Sequence, residues 1–233
     1  MQPQAFSGRN LKVGLTISHN QLLLKLSVSS QALIAKEFEW VQLQEGDVIG
    51  SPTSTRCDVF FLLDACVAMF VHPLGGGKGL AVGLIGGEGA AGLQHALGLG
   101  AGNITLRVQA QGGALRAEGA AIERILKSKP EILMVFSRYI WALCQEVAFL
   151  AAHLQVKDIQ SRLAGWIQLS ADRNASLELK LTQTYLSDVL GVTRSSVTLA
   201  AQELKQQGLI SYSRGYLQIL NLKGLQAAAD WHF

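Results

Sequence analysis

The stretch LTQTYLSDVLGVTRSSVTLAAQELKQQGLI, residues 181–210, decides how this sequence is interpreted. Its apolar residues recur at helical spacing on both sides of a short corner that contains glycine. Thr182 and Thr193 are placed to cap two helices, the first running to Leu190 and the second to about Gln207. A glycine follows each helix, where a left-handed backbone conformation would end it. The stretch therefore predicts two helices joined by a tight turn.

The apolar and polar residues of this stretch divide as a helix-turn-helix requires. Leu186 and Leu190 lie on one face of the first helix. They are spaced to meet Val197 and Ala200 of the second helix, and Val192 is expected to be buried in the corner. The outer face of the second helix is then short, polar and cationic, as a helix that reads the DNA major groove should be. The residues of this face are Arg194, Ser195, Thr198 and Gln202.

A β-hairpin is predicted directly after the second helix. Two β-prone runs flank Arg214-Gly215, which would form the wing of a winged helix-turn-helix. The surrounding segment holds five cations and two acids, for a net charge of +3; these are Lys180, Arg194, Lys205, Arg214 and Lys223 against Asp188 and Glu203. The wing and the charge favour double-stranded DNA as the partner. A generic helical hairpin inside a larger fold is the alternative.

Residues 130–156 predict one long helix. Pro130 suits the first helical position, and Glu131 places a negative charge in the first turn. Apolar residues recur at the a and d positions of three heptads, the pattern through which two such helices pair in a homodimer. The predicted dimer-interface residues are Leu133, Phe136, Ile140, Leu143, Val147, Leu150 and Leu154. The alternative is a helix buried within its own domain, because its other faces also carry apolar side chains.

A further helix is predicted after this one. Asp158 is placed to cap a helix over residues 159–169, and residues 172–176 are expected to form a polar loop.

The part of the chain before this helix is rich in glycine and in β-prone residues. Fifteen of the 24 glycines lie between Gly75 and Gly119. They separate apolar runs at residues 59–63, 67–71, 80–85 and 104–108. This pattern predicts a small β-barrel or sandwich, and hence an α+β fold for the whole chain. Short helices are expected over residues 20–33, a turn at residues 45–47 and a hairpin tip at residues 75–79.

Composition excludes several classes of protein. The chain has 233 residues, of which 49% are hydrophobic and 16% charged, so it can bury a core and is not disordered as a whole. Its three cysteines form no CxxC pair, which argues against a disulfide framework or a cysteine metal site. Residues 1–20 lack the apolar core of a signal peptide, and no uninterrupted apolar run reaches about 18 residues. A reduced, cytoplasmic protein that does not bind a membrane is therefore expected.

Two sequence patterns that often mark enzymes do not hold up in this chain. Residues 87–92 fit GxGxxG, but the sustained helix and the later acidic residue of a dinucleotide-binding fold are missing. The glycine-rich segment around Lys78 lacks the Ser or Thr of a P-loop. No GxSxG or HExxH motif is present, so no enzymatic activity is predicted.

The order of these segments resembles the Crp/Fnr superfamily of bacterial transcription regulators. The most specific part of the likeness is TQTYLSDVLGVTRSSVT followed by GLI and the wing. Gly46-Asp47-Val-Ile and Ile85-Gly-Gly-Glu-Gly-Ala also resemble β-roll turns of that family. The resemblance implies a jelly-roll-like β-roll sensor domain over residues 1–129, a dimerisation helix and hinge over 130–157, and a winged helix-turn-helix over 158–233. Asp158 and Arg162 fall where the family's DNA-binding domain begins.

The resemblance also implies roles for residues of the recognition helix. Arg194 aligns with a base-reading arginine, and Ser195 and Thr198 share its face. Residues at positions that contact the DNA backbone are Thr182, Gln183, Thr193 and Ser196, together with Arg214 in the wing. The family often has glutamate at position 195 and arginine at 199, where this chain has serine and leucine, so its operator should differ from the best-known one. RNA polymerase is a further candidate partner.

The sensor domain departs from the cyclic-nucleotide receptors that it resembles. Gly87-Glu88-Gly89 keeps their Gly-Glu loop, which makes these three residues the candidate effector site. The Arg-Ser pair that holds the cyclic phosphate is missing, and Arg107 is out of place. A buried phosphate without its cation is strongly disfavoured, so cyclic AMP is not the expected effector. Either an unidentified apolar effector or none is expected.

No cofactor is predicted for this chain. An iron–sulfur cluster needs four cysteine ligands, and the chain has three, none of them clustered. Haem ligation by one histidine stays open, the candidates being His19, His72, His95 and His153. As a whole, the sequence predicts a homodimeric regulator that reads a palindrome-like operator. The alternative is a ligand-binding or protein-interaction module of the same fold that does not bind DNA specifically.

Overall fold

A computed structural model describes residues 17–72, 79–100 and 102–230. By its contacts the chain divides into two compact units. Unit 1 comprises Met1–Ala68 and Ile85–Cys144, and unit 2 comprises Met69–Leu84 and Gln145–Phe233. Most of the hairpin tip predicted at residues 75–79 lies outside the described residues.

Two short helices open the described part of unit 1, as the sequence predicts. They are α1 (Gln21–Leu24) and α2 (Val28–Ile34), and each begins at a capping side chain. Asn20 is fully buried and accepts a hydrogen bond from the Leu23 amide. Its side-chain amide donates to the carbonyl oxygens of Leu62, at 2.7 Å, and Gly89, at 2.8 Å. This buried amide therefore joins α1 to the β-structure.

Within the described residues, eight strands follow in two four-stranded sheets. The strands are β1 (Glu39–Leu43), β2 (Val48–Gly50), β3 (Asp58–Leu62), β4 (Cys66–Val71), β5 (Leu80–Ile85), β6 (Ala90–Ala91), β7 (Ile104–Ala110) and β8 (Gly112–Glu118). The short helix α3 (Leu93–Ala96) lies between β6 and β7. The sheet orders are β1-β8-β3-β6 and β2-β7-β4-β5, and β8 pairs antiparallel with both β1 and β3. The predicted β-prone runs all form strands, and Gly46, with φ of +87°, forms the predicted turn.

The core of unit 1 is built around aromatic side chains. Phe61 on β3 is fully buried, and its ring centroid lies 5.1 Å from that of Phe38 and 5.8 Å from that of Phe136. Leu115 and Ile122 are buried in the same cluster. Ile122 lies on helix α4 (Gly119–Ser128). These contacts attach the first part of the following long helix to the sheet β1-β8-β3-β6.

The long helix α5 (Pro130–Val156) has 27 residues and begins at the predicted proline. An 18-residue window of it has a mean hydropathy of 1.3, and 17% of that window is buried. By length and composition alone, α5 could therefore cross a membrane, which is weak evidence from a single helix. Trp141 is 64% exposed and Met134 is 56% exposed. Much of the helix surface is thus apolar and uncovered within one chain.

The seven residues of the predicted dimer seam on α5 differ in how far their own chain covers them. Phe136 is 1% exposed and Leu150 is 7% exposed, so both side chains are already buried by their own chain. Leu133 is exposed. The four other predicted positions, Ile140, Leu143, Val147 and Leu154, are half-buried. Phe136 and Leu150 therefore have little surface left for a second chain, and the dimer seam stays a prediction.

Unit 2 contains the predicted helices and hairpin at the C-terminus. Its elements after α5 are α6 (Ile159–Asn174), β9 (Glu178–Lys180), α7 (Gln183–Leu190), α8 (Arg194–Gln206), β10 (Ile210–Ser213), β11 (Tyr216–Ile219) and α9 (Leu222–Ala229). Asp158 caps α6 by accepting a hydrogen bond from the Ser161 amide at 2.8 Å. The sequence predicts an end of α6 at Leu169 and a loop over residues 172–176. This is wrong, since α6 continues to Asn174 and is capped by Ala175, where φ is +48°.

We expect Phe136→Ala to destabilise unit 1 by about 3–5 kcal/mol, because it removes a fully buried ring and leaves a cavity. Met134→Ala is the matched control, since it truncates an exposed apolar side chain on the same helix. Urea unfolding monitored by circular dichroism measures both. Equal effects of the two substitutions would contradict the assignment of Phe136 to the core.

Candidate nucleic-acid interface

The two helices of the predicted helix-turn-helix begin and end where the sequence indicates. The Thr182 hydroxyl oxygen accepts from the Tyr185 amide at 3.1 Å, and α7 starts at the next residue. The Thr193 hydroxyl oxygen accepts from the Ser196 amide at 3.2 Å, and α8 follows. Gly191 has a φ of +64°, a conformation that a residue with a side chain adopts at a cost. The turn is therefore fixed by two hydroxyl caps and one glycine.

Burial of one face of α8 sets the direction in which its other face points. Val197 and Leu204 are fully buried, and Ala200 is 3% exposed. They pack in a domain where α8 contacts both α6 and α7. Val192 is half-buried, whereas the sequence predicts that it is buried in the corner, so this prediction is wrong. The buried set recurs every three to four residues, which leaves the opposite face of α8 in solvent.

The exposed face begins at the first turn of α8. Arg194 and Ser195 are exposed, Thr198 is half-buried and Gln202 is exposed. The Thr198 hydroxyl donates to the Arg194 carbonyl oxygen at 2.9 Å, so its hydrogen is used within the helix. This leaves the oxygen as an acceptor and the methyl group as an apolar contact. The sequence-predicted reading residues thus share one surface.

Hydroxyl groups cluster at the N-terminus of α8. The Thr193 oxygen lies 2.9 Å from the Ser195 hydroxyl and 2.8 Å from the Ser196 hydroxyl. The first amides of a helix carry partial positive charge, which favours an anion nearby. These three hydroxyl groups form a short polar surface at the residues that flank Arg194. Such a surface has the chemistry that a phosphate group requires.

Gln183 has a contact that sequence reasoning did not foresee. Its side-chain oxygen accepts a hydrogen bond from Nε of Arg194 at 3.4 Å. The two residues are eleven positions apart, on α7 and α8. The amide therefore orients the guanidinium from the neighbouring helix, and its own NH₂ group is a further donor toward the surface.

The wing is a three-stranded sheet rather than a simple hairpin. Its order is β10-β11-β9, with Tyr216 opposite Lys180 and Ser213 opposite Tyr216. Arg214 and Gly215 form the two-residue turn, with φ values of +52° and +84°. Positive φ at both positions is typical of the tight turns that suit twisted antiparallel strands. The turn holds the exposed Arg214 at the tip of the wing.

The charges of this domain are distributed unequally between solvent and interior. All five predicted cations are exposed, whereas the two acids in the same segment are half-buried. The cations are Lys180, Arg194, Lys205, Arg214 and Lys223, and the acids are Asp188 and Glu203. The outer surface is therefore more positive than the net charge alone indicates.

Arg162 joins the start of the domain to the helix-turn-helix. It lies in the first turns of α6, and its guanidinium donates to the Leu190 carbonyl oxygen at the end of α7. A cation suits the carbonyl end of a helix. Burial lowers the pKa of Arg162 from its ordinary value, although an arginine starts high enough to stay charged.

The Gly87-Glu88-Gly89 loop in unit 1 is occupied by intramolecular contacts. Both carboxylate oxygens of Glu88 accept from the Gly86 amide, at 3.0 and 3.1 Å. A Cβ on Gly89 would overlap the ring of Tyr139, which extends from α5, and one on Gly87 would lie 2.8 Å from the Leu63 carbonyl oxygen. Gly89 is therefore required for close packing against α5, and Gly87 for close packing against the Leu63 backbone. The sequence gives no signal for the contact with Tyr139.

The candidate haem histidines differ in their surroundings. His95 is 8% exposed, and Nδ1 of His153 lies 2.9 Å from the Phe149 carbonyl oxygen, while His19 and His72 are exposed. Cys57, Cys66 and Cys144 are all free thiols. Within residues 17–72, 79–100 and 102–230, no group of three or more His, Cys, Asp or Glu side chains is placed to hold a metal ion.

Residues 161–228 match the family model of the Crp-like helix-turn-helix domain. The match covers most of α6, the helix-turn-helix, the wing and nearly all of α9. The C-terminal domain is therefore a Crp-like helix-turn-helix domain, as the resemblance predicts. Comparison with curated proteins gives no significant match.

Solved structures match most of the chain. A protein of Eubacterium rectale assigned to the Crp/Fnr transcriptional regulators has a TM-score of 0.71 at 16% identity, covering 92% of this chain and 100% of its own. The c-di-GMP-responsive global regulator CLP of Xanthomonas campestris has a TM-score of 0.68 at 11% identity, covering 83% and 99%. TTHB099, a CRP-family transcriptional regulator of Thermus thermophilus, has a TM-score of 0.68 at 19% identity, covering 82% and 97%. The chain thus has the α+β fold of Crp/Fnr regulators.

Tyr212 provides a test of how the wing is attached. Its hydroxyl donates to the Leu181 carbonyl oxygen at 2.7 Å, directly before the cap of α7. Burial raises the pKa of Tyr212 to about 12, and the positive charge of Arg194 opposes this rise. We expect Tyr212→Phe to lower the free energy of unfolding by about 1 kcal/mol at pH 8, the typical worth of one such hydrogen bond.

The same substitution should change the response to alkali. The folded wild type keeps the Tyr212 proton after the unfolded chain has lost it, so its stability falls as pH rises from about 10 to about 12. This part of the decline should be absent in the Tyr212→Phe variant. Urea unfolding at pH 8 and 11 measures both effects, with Tyr216→Phe, at an exposed position, as the control. Identical curves for Tyr212→Phe and wild type would contradict the assignment.

Proposed function

We propose that this chain, which has the Crp/Fnr fold and a Crp-like helix-turn-helix domain, is a homodimeric, cytoplasmic transcription regulator that binds double-stranded DNA and is not an enzyme. The observation that carries the proposal is the division of α8 into a buried apolar face and an exposed face led by Arg194 and Ser195. A helix of this kind, beside a wing and a cationic surface, fits the major groove.

In this proposal Arg194, Ser195 and Thr198 read base edges. A guanidinium donates two parallel hydrogen bonds to guanine O6 and N7, the commonest specific contact to DNA. Gln183 supports this role because its side-chain oxygen lies 3.4 Å from Nε of Arg194 and favours one orientation of the guanidinium. The methyl group of Thr198 is suited to contact a thymine methyl group.

The DNA backbone is held by the groups around the reading residues. Thr182, Thr193 and Ser196 offer hydroxyl groups, Gln183 offers its NH₂ group, and Arg214 offers a cation at the tip of the wing. Such contacts fix the register of the helix in the groove without reading sequence.

We expect Arg194→Ala to weaken binding to an operator, selected in vitro from random DNA, by about 1–3 kcal/mol and to relax base preference at one position in each half-site. Arg214→Ala is the comparison, since loss of a phosphate contact weakens binding to every sequence and reduces the salt slope by about 1. Fluorescence anisotropy over a range of salt concentrations measures both. An Arg194→Ala variant with unchanged affinity and base preference would refute the base-reading role.

The proposed dimer forms through a stripe on α5 that differs by one position from the sequence prediction. Leu133, Ile140, Val147 and Leu154 keep their place as one set of seam positions. Because Phe136 and Leu150 are buried in their own chain, the second set moves to Ser137, Cys144 and Ala151, all exposed. The spacing then alternates between four and three residues, as in a coiled coil. The small side chains of the second set allow close approach of two helices.

This seam places Cys144 of one protomer opposite Cys144 of its partner. In a Cys57→Ser, Cys66→Ala background, we expect a short bis-maleimide to crosslink the two thiols efficiently, because equivalent seam positions of parallel helices face each other across the two-fold axis. Moving the cysteine to another seam position (Cys144→Ser with Ser137→Cys) should preserve the crosslink.

The matched control moves the thiol off the seam. Cys144→Ser with Ala142→Cys places an exposed thiol on the opposite side of the same helix, and it should not crosslink. Denaturing electrophoresis shows the products, and sedimentation equilibrium gives the mass of the unmodified protein. A monomer, or equal crosslinking at position 142, would contradict the proposed seam.

Effector control fits the same arrangement. Tyr139 lies on α5, and its ring covers Gly89 in the candidate effector loop, Gly87-Glu88-Gly89. An effector that binds at this loop would have to displace the Tyr139 side chain. That displacement would act on α5, the helix that carries the proposed dimer seam. Such an effector shifts the protein between states only by binding one of them more tightly.

A protein-interaction module of the same fold is the second candidate function. Leu199 is 59% exposed on α8, where an apolar side chain suits a protein partner as well as DNA. This candidate would be favoured if binding of the selected operator did not weaken with salt and random DNA competed for the protein as well as the operator does.

A further inference from the structure

Residues 69–72 and 79–84, here called the strap, contact the C-terminal domain at three places in the described residues of unit 2. The ring of Phe70 lies edge-on to that of Tyr185 on α7, with centroids 6.4 Å apart. A side-chain carbon of Leu80 lies 3.2 Å from where a Cβ on Gly191 would stand, at the turn of the helix-turn-helix. The carbonyl oxygen of Leu84 accepts a hydrogen bond from Nε of Arg173 at 3.0 Å. The strap thus touches α6, α7 and the turn before α8.

Arg173 makes the polar part of this attachment. It lies in the last turn of α6, and its side chain is 20% exposed. Besides the bond to Leu84, its guanidinium forms an ion pair with Glu146 of α5, whose side chain is 14% exposed. One planar guanidinium therefore bonds to strand β5 and to helix α5 at once, which a lysine cannot reproduce in geometry. Removing it would leave a sheltered carboxylate without this cation.

The attachment leaves the reading surface uncovered. Arg194 and Ser195 are exposed while Arg173 is bonded. The contacts therefore do not block DNA binding. They do restrict the C-terminal domain, which follows α5 in sequence through Lys157 and the cap Asp158.

We propose that Arg173 and Glu146 are positioning residues for DNA binding: they fix the helix-turn-helix domain to the strap and to α5. This inference rests on the proposed function, because the two residues affect DNA binding only by placing the two recognition helices of a dimer. A domain that is held in place loses less freedom when both half-sites are engaged. The second half-site is then bound at a high effective concentration, but only when its spacing fits.

The first experiment compares operators with the selected half-site spacing and with two base pairs added or removed. We expect Arg173→Ala to bind the selected spacing about tenfold more weakly than wild type, a size typical of coupling contacts. It should also discriminate less between spacings. The affinities of Arg173→Lys and Glu146→Gln should lie between those of wild type and Arg173→Ala, since each substitution keeps part of the interaction. Arg116→Ala, which removes ion pairs with Glu39 and Asp58 in unit 1, is the control and should resemble wild type in DNA binding.

The second experiment does not depend on DNA. Amide hydrogen exchange in full-length protein should accelerate in Arg173→Ala at two places together, β5 and the last turn of α6, while the core of α8 keeps its protection. Unchanged exchange at β5 would overturn the role of Arg173, and so would an unchanged spacing preference. Wild-type protein that binds no selected DNA would instead refute the regulator, and the exchange experiment would still decide whether Arg173 holds the strap.

Discussion

The structure depends on the burial of one face of helix α8. Val197, Ala200 and Leu204 contribute an apolar surface that only the neighbouring helices can cover, and burying a side chain as large as Val197 or Leu204 contributes about 1.5–3 kcal/mol. Once that face is buried, the polar first turn must point to solvent. The hydroxyl caps, the glycine at position 191 and the wing then fix where this turn lies. The reading surface is therefore a consequence of packing as much as of its own residues.

Helix α5 is subject to two packing demands. One face is covered within its own chain, by the aromatic core in the first half and at Leu150 in the second. Another face, with Trp141 and Met134 near it, is left exposed and apolar. A second copy of the same helix can cover such a face without a separate partner. Two-fold pairing would also present two winged domains with the symmetry of a palindromic operator.

Local signals made much of this structure predictable from the sequence. Helix caps and turn glycines act on adjacent residues, so a short stretch of sequence is enough to predict them. The caps are Thr182, Thr193 and Asp158. Features set by distant contacts were not predictable in this way. Strand β9 forms by pairing with the edge of β11. Helix α6 continues beyond its predicted end, and Tyr139 packs over Gly89. The heptad pattern likewise could not tell which apolar residues of α5 its own chain would bury, because Phe136 and Ser137 are both compatible with a seam.

The central claim is that two recognition surfaces are presented together, with two-fold symmetry, to one face of a duplex. Hydroxyl-radical footprinting of the full-length protein on its selected operator tests this most directly. The account predicts two equivalent protected patches related by a dyad, with centres about 10–10.5 base pairs apart or a multiple of that. A single protected patch, or uniform weak protection along the DNA, would contradict it.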